Sequence, residues 1–224
     1  MNLEFLSPLL LTFKLATITT IILLIIGIPL AYWIAYSSSR FKAVIETIVS
    51  MPLVLPPSVL GFYLLLAFSN EYFLGRFLKK YFDLQLAFTF EGLVIASIIF
   101  SLPFMVHPIQ AGFSNLPIQL KEASYTLGKS KTETLFKVLL PNIKPSILTG
   151  IVISFTHTIG EFGVVLMIGG NIPNQTRVAS LAIYDEVEAL NYSTATYYAL
   201  ILSAISFLIL LFVYIVNKKY FRSL

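Results

Sequence analysis

No cysteine occurs in the chain, so neither a disulfide nor a thiolate-ligated metal site can form, and the redox character of the compartment cannot be read from it. Charge is nearly as scarce. Only 12% of the 224 residues are charged against 57% hydrophobic, and mean hydropathy is +0.86. A soluble domain carries about a quarter of its residues as charges, which excludes that class and leaves an all-α polytopic membrane protein. The formal net charge of +4 gives little support to nucleic-acid binding, because in a membrane protein the distribution of charge matters more than its sum. The first eight residues, MNLEFLSP, lack the basic region of a signal peptide. The apolar run after them outlasts the roughly 7–15 residues of a signal core, so it reads as a retained first span. No tandem repeat or low-complexity tract is evident, and 1–224 reads as one membrane domain.

A spanning helix needs about 20 mostly apolar residues. Five stretches qualify: roughly 9–36, 44–68, 90–113, 146–169 and 196–216. Loops then alternate sides. Arg40, Lys42, Lys121, Lys129, Lys131, Lys137, Lys144, Lys218, Lys219 and Arg222 fall together, while Lys14, Arg76, Lys79, Lys80 and Arg177 fall opposite, a split of ten against five. The positive-inside rule places the first set in the cytoplasm, with the N-terminus outside and the C-terminus cytoplasmic. Segment 69–89 reads as an amphipathic connector or a short interfacial helix on the outer face. Trp33, Tyr32 and Tyr36, near the inner end of span one, read as interfacial anchors.

The exception to the apolar character is 122–141, EASYTLGKSKTETLFKVLLP, within a cytoplasmic loop of about 115–145. Its punctuation predicts two short helices joined at a glycine. Asn115 and Pro117 supply a cap and first turn, Gly128 a left-handed end, and Ser130 with Glu133 a capping box. Leu135, Phe136, Leu139 and Leu140 are expected on one face of the second helix. The Gly-Lys-Ser at 128–130 is not a phosphate loop. The first glycine of that motif would stand at Ala123, and no buried strand precedes it. Nucleotide chemistry therefore belongs to another chain.

Glu122, Ala123, Ser124, then Gly128, Val138, Leu140 and Pro141 stand at the spacing E-A-A-x3-G-x9-I-x-L-P, with Ser124 for the second alanine and Val138 for isoleucine. This resembles the EAA loop of ABC-importer permeases. MPLVLPPSVLGFYLL at 51–65, LAFTFEG at 86–92, SLPFMVHPI at 101–109 and GEFGVVLMIGGNIPNQTRVASLAIY at 160–184 narrow the resemblance to molybdate permeases of ABC importers, over about 15–198. Sulfate, thiosulfate and tungstate permeases share parts of these stretches. His107 departs from the arginine that relatives often carry.

The resemblance implies the type I importer permease fold, alternating access, and a homodimer with two ATP-binding cassette subunits and an extracytoplasmic oxyanion-binding protein. ATP and magnesium would sit on the ATPase, and the chain itself would hold no cofactor or metal and would not be an enzyme. Glu122, Ala123, Ser124, Gly128, Leu140 and Pro141 would dock on the ATPase. The expected location is the cytoplasmic membrane, in contact with lipid. Permeases for tungstate or sulfate/thiosulfate are the alternative, and an ion-coupled secondary carrier a remoter one.

The residues themselves add candidates. Pro56 and Pro57 in span two, like Pro103 and Pro108 in span three, kink their helices, and freed carbonyls are tolerated where they face a wet interior. Glu161 is the carboxylate placed well inside a span. Since a carboxylate repels an oxyanion, its expected role is a gating or structural hydrogen bond, with His157 one turn earlier as a candidate partner. Gly163 permits close helix approach there. Asn171, Pro173, Thr176 and Arg177 on the outer face offer the donors a tetrahedral dianion or a binding protein's acidic rim needs. Ordinary turn polarity explains them equally well.

Overall fold

A computed structural model describes residues 3–221, all helices and their connections. Arg222, counted in the charge asymmetry, lies outside the described residues. The first helix, α1 (Leu3–Tyr36), is apolar over its whole length and stops at the polar 37–40 turn, where Ser39 Oγ accepts from the Phe41 amide at 3.2 Å. The other central helix is α5 (Phe90–Ser114), started by Thr89, whose hydroxyl accepts from the Gly92 amide at 3.2 Å. Pro103 and Pro108 lie inside α5 without ending it.

Proline acts more drastically at the second expected span. It is not one helix but two, α2 (Lys42–Val54) and α3 (Pro57–Phe68), meeting at 114°. Leu55 (ψ 134°) and Pro56 (ψ 136°) are both extended. Each precedes a proline, which drives the preceding residue out of the helical region. An amphipathic helix, α4 (Phe73–Phe82), follows.

The fourth expected span is also divided. After α9 (Lys144–Ile159) the chain breaks at 160–162 and resumes as α10 (Gly163–Gly169). With 16 residues, α9 is roughly 24 Å long at 1.5 Å per residue, short of a bilayer core of about 30 Å. Two helices close the chain, α11 (Ala179–Glu188) and α12 (Tyr192–Phe221). By length and composition, three described helices can cross a membrane alone, and up to five crossings result if the bent pairs Lys42–Val54 with Pro57–Phe68 and Lys131–Asn142 with Lys144–Ile159 each count as one.

Burial divides the core into two parts along α1 and α5. One part joins Leu15, Leu60, Phe68, Leu93, Val164, Ile168 and Leu181, and seats α3, α10 and α11. The other joins Leu23, Ile34, Val49, Met105, Ile109, Phe113 and Leu139. Leu139 comes from the 122–141 stretch and is fully buried, so that stretch is anchored to the bundle core at this side chain.

Candidate functional site

The 122–141 stretch folds as two helices around a glycine. In α6 (Ile118–Thr126) the chain ends left-handed at Gly128, φ +78°. The Gly128 amide donates to the Tyr125 carbonyl at 2.9 Å and the Lys129 amide to the Ser124 carbonyl at 3.1 Å, the paired bonds of a Schellman ending. Pro117 holds the N-cap position, while Asn115 closes α5 instead. Ser130 Oγ accepts from the Glu133 amide at 3.1 Å and starts α7 (Lys131–Thr134). The reciprocal half of the capping box is not made. The Glu133 carboxylate instead accepts from Lys137 at 2.7 Å and Lys129 at 3.1 Å.

Those two lysines, Lys137 foremost, hold the Glu133 carboxyl below its usual 4.5. The folded-state value is depressed, so the contribution of this bridge is complete above pH 4.5 and is lost as pH falls through the lower folded value. A carbon-13 titration of the Glu133 carboxyl is expected to show a midpoint below 4.5, and a midpoint at or above it contradicts the bridge.

After α7 comes a wide turn, Leu135–Leu139, in which the Leu140 amide bonds the Leu135 carbonyl five residues back, and then α8 (Leu140–Asn142). Pro141 is the physical cause. Lacking an amide hydrogen, it cannot bond the Lys137 carbonyl, and its ring crowds that carbonyl aside. Asn142 Nδ2 donates to the Val138 carbonyl at 2.7 Å, occupying another acceptor at the wide turn. The extra residue also corrects the expected apolar face. Leu139 is buried and Leu135 and Leu140 half-buried, but Phe136 turns outward, 62% exposed, as does Leu127 at 78%.

Within the motif, Glu122 and Ala123 are exposed. Ser124 is buried, and its hydroxyl pairs with the buried Thr134 hydroxyl at 2.8 Å, joining the two helices. Serine in place of the motif's second alanine is therefore matched by threonine ten residues on. Ser124→Ala is expected to cost about 1–3 kcal/mol by stranding the Thr134 hydroxyl, and adding Thr134→Val should recover most of that. Thermal unfolding in detergent reads both, and equal losses from the single and double variants refute the pairing.

Tyr32 and Tyr36 serve this hairpin as well as any interface. Lys121 Nζ lies 4.1 Å from the Tyr36 ring centre, and Tyr36 donates to the Phe113 carbonyl at 3.2 Å. Tyr32 packs edge-on against Phe113 at 5.5 Å.

The candidates within the spans converge on a second feature, an open groove of about 670 Å³ lined by Pro57, Phe100, His157, Glu161 and Gly163. Pro56 caps α3 beside it. Glu161 is buried in the break between α9 and α10. One carboxylate oxygen accepts from Ser97 at 2.8 Å, and its backbone carbonyl accepts from Ser180 at 2.6 Å. The expected pairing of His157 with Glu161 is not made. Because the helix ends at Ile159, the i, i+4 register is lost, and His157 Nδ1 bonds Ser101 at 2.9 Å and stacks on Phe104 with ring centres 4.0 Å apart. Gly163 is a contact point: a Cβ there would lie 3.0 Å from Pro57 Cβ, so α3 and α10 meet nearly backbone to backbone.

Most of the polarity of the 171–177 loop is engaged within the chain. Asn171 Nδ2 donates to both Asp185 oxygens at 2.8 and 2.9 Å, and Arg177 pairs with Asp185 at 2.7 Å. Thr176 Oγ1 donates to the Gly169 carbonyl at 2.6 Å and accepts from the Ile172 amide at 2.9 Å. Pro173 and Arg177 line a separate pocket of about 410 Å³ against the start of α1. Sequence reasoning missed Ser97, Ser101, Thr134 and Ser180. The first two had a legible signal, hydroxyls four residues apart on one face of an apolar span. Among the described residues no group of three or more His, Asp or Glu is placed to hold a metal ion.

The geometry, a hairpin anchored beneath a bundle of broken helices, agrees with sequence comparison. Residues 27–222 match the family model described as the inner membrane component of binding-protein-dependent transport systems. The chain belongs to that family. This permease chain is 45% identical over 205 residues to the molybdenum transport system permease ModB of Azotobacter vinelandii, covering 91% of the chain and 90% of the relative. It is 31% identical to the sulfate transport system permease CysT of Salmonella typhimurium, covering 88% and 71%. Its fold matches that of a bacterial alginate ABC transporter solved with an alginate pentasaccharide-bound periplasmic protein, with a TM-score of 0.81 at 17% identity over 98% of the chain and 80% of the neighbour. The permease is thus an inner-membrane, multi-pass, all-α protein of the type I importer fold.

Proposed function

We propose that the chain is the membrane-spanning subunit of an ATP-driven importer of molybdate, acting as a homodimer with two ATPase subunits and an extracytoplasmic oxyanion-binding protein. The observation that carries this is 45% identity to a molybdenum permease over nine-tenths of both chains, against 31% and 33% to two sulfate permeases. The chain is a transport subunit and not the site of ATP hydrolysis, and ATP with its magnesium binds the partner. The hairpin faces the cytoplasm, as the charge asymmetry favours.

Mechanically, closure of the ATPases moves the paired hairpins. Leu139 ties each hairpin to α1, α2 and α5, so motion at the hairpin reaches the spans. Only a difference in ATP affinity between inward and outward states drives the cycle. The groove with Pro57, His157, Glu161 and Gly163 lies on the path or its gate. Asn171 and Arg177 shape the outer loop, being engaged with Asp185, and the binding protein meets that face.

Exposed Glu122 contacts the ATPase directly. Glu122→Ala is expected to lower recovery of the ATPase in detergent pull-downs severalfold, and unchanged stoichiometry would leave Glu122 only a helix-dipole role. Competition among molybdate, tungstate and sulfate for uptake by the reconstituted complex identifies the substrate; preference for sulfate overturns the molybdate reading.

A further inference from the structure

On α2 the polar side chains Glu46, Thr47 and Ser50 stand at i, i+1 and i+4. They share one face with Ala43, Met51 and Val54, and together these residues line an open groove of about 580 Å³. Two residues of α5 complete a stripe. Gln110 Nε2 donates to the Glu46 carboxylate at 2.8 Å, and His107 Nε2 and Ser50 Oγ lie 3.2 Å apart. Glu46 begins roughly one helical turn beyond Lys42, and Ser50 one turn further, so the stripe runs inward from the helix end. None of Glu46, Ser50, His107 and Gln110 is fully buried, and Thr47 is exposed. Val44 and Ile48, further round the same helix, are exposed and apolar, at 54% and 59%.

Glu46 is held by Gln110, Ser50 by His107 and the Thr47 hydroxyl by the Ala43 carbonyl at 2.8 Å, yet an ionisable carboxylate within a span remains costly against lipid and faces a cavity or a partner subunit. We infer that Glu46, Thr47, Ser50, His107 and Gln110 form the wall of a water-filled vestibule at the hairpin end of the bundle, through which the oxyanion leaves. This rests on the import reading for its direction. The Ser50–His107 pair and the second hydrogen of the Gln110 amide leave hydrogen-bond donors for a passing tetrahedral anion. The Glu46 carboxylate opposes them, so the wall holds the anion weakly and serves as a passage. Gln110 fixes that carboxylate against α5, and the exposed Thr47 side chain, its hydroxyl donating to the Ala43 carbonyl at 2.8 Å, lines the groove beside it.

The absence of native cysteine makes the test direct. Thr47→Cys and Ile48→Cys chains, each assembled with the ATPase in inside-out vesicles, are treated with a membrane-impermeant sulfonate methanethiosulfonate and with its trimethylammonium counterpart. Mass measurement of this chain reads the labelling. The two positions lie roughly 100° apart around the helix. Thr47→Cys is expected to react at least tenfold faster than Ile48→Cys with both reagents. Adding Glu46→Gln to Thr47→Cys is expected to raise the anionic rate about threefold and lower the cationic rate by a similar factor, as removal of one nearby charge in water predicts. Equal, slow labelling at both positions puts the stripe against lipid or inside a sealed interface and overturns the proposal. An unchanged ratio of anionic to cationic rates removes Glu46 from the wall. Molybdate uptake is measured in the same vesicles, so that loss of uptake with the labelling contrast intact counts against the substrate and not against the vestibule.

Discussion

Gly128→Val is expected to insert normally and to lose ATP-driven uptake at least tenfold, while the ATPase subunits continue to hydrolyse ATP. Gly128 has φ +78°, and a Cβ at that position meets nothing within 4 Å. Valine therefore creates no clash and leaves the bundle intact; its whole effect is on the backbone. A branched residue in the left-handed region costs roughly 1–2 kcal/mol, about a factor of ten in the population that keeps the corner. The corner relaxes by giving up the Schellman bonds to Tyr125 and Ser124. Leu127 and Phe136, the outward apolar groups on either side of it, then lose their relative placement. Asparagine tolerates the left-handed region, so Gly128→Asn should retain most uptake. Vesicle uptake and hydrolysis measured together settle the matter, and normal uptake by Gly128→Val contradicts the role given to the corner.

A comparable effect is expected at Glu161, with a different control. Glu161 holds three parts of the fold at one point: Ser97 on α5 through its carboxylate, Ser180 on α11 through its carbonyl, and the Thr158 carbonyl through its amide at 3.3 Å. Glu161→Leu strands the Ser97 hydroxyl, at about 1–3 kcal/mol, and frees the break between α9 and α10. Uptake is expected to fall at least tenfold, with a lowered unfolding temperature. Glu161→Gln keeps an acceptor for Ser97 and should stay within about threefold of the parent. Were the negative charge itself needed, as in an ion-coupled carrier, Gln would be as inactive as Leu. Initial uptake rates of the two variants separate these cases.

The contrast between these positions shows where sequence was informative. The hairpin corner is a local device. Glycine, a serine cap and a fixed spacing dictate it within a few residues, and the left-handed Gly128 and the Ser130 cap stand where their residue types place them. The spans were legible as apolar runs, but hydropathy does not register a break that stays apolar. Leu55, Pro56 and Pro57 predict a kink, whereas the 114° angle follows from two successive residues being driven extended, and packing of α3 against α10 then sustains it. The break at 160–162 has only Gly160 as a local sign. The end of the helix at Ile159 removed the register on which a His157–Glu161 pair depended.

Long-range partners were illegible for a plainer reason. Ser97 and Glu161 are 64 positions apart, Ser124 and Thr134 are joined only once the corner is closed, and Asp185 takes up Asn171 and Arg177 from across a turn. Donor-rich loops look alike in sequence whether they bind an anion or one another. The wide turn before Pro141 was similarly hidden, since its proline lies at the motif's end and its consequence, an outward Phe136, one turn earlier.

The central claim is that this chain converts ATP-driven motion at the 122–141 hairpin into oxyanion import. It is tested most directly by uptake of labelled molybdate into proteoliposomes holding the permease, its ATPase and its binding protein. The account predicts uptake that requires ATP and the binding protein, persists when ion gradients are collapsed, and disappears with Gly128→Val. Uptake that proceeds without ATP on an ion gradient alone would contradict it.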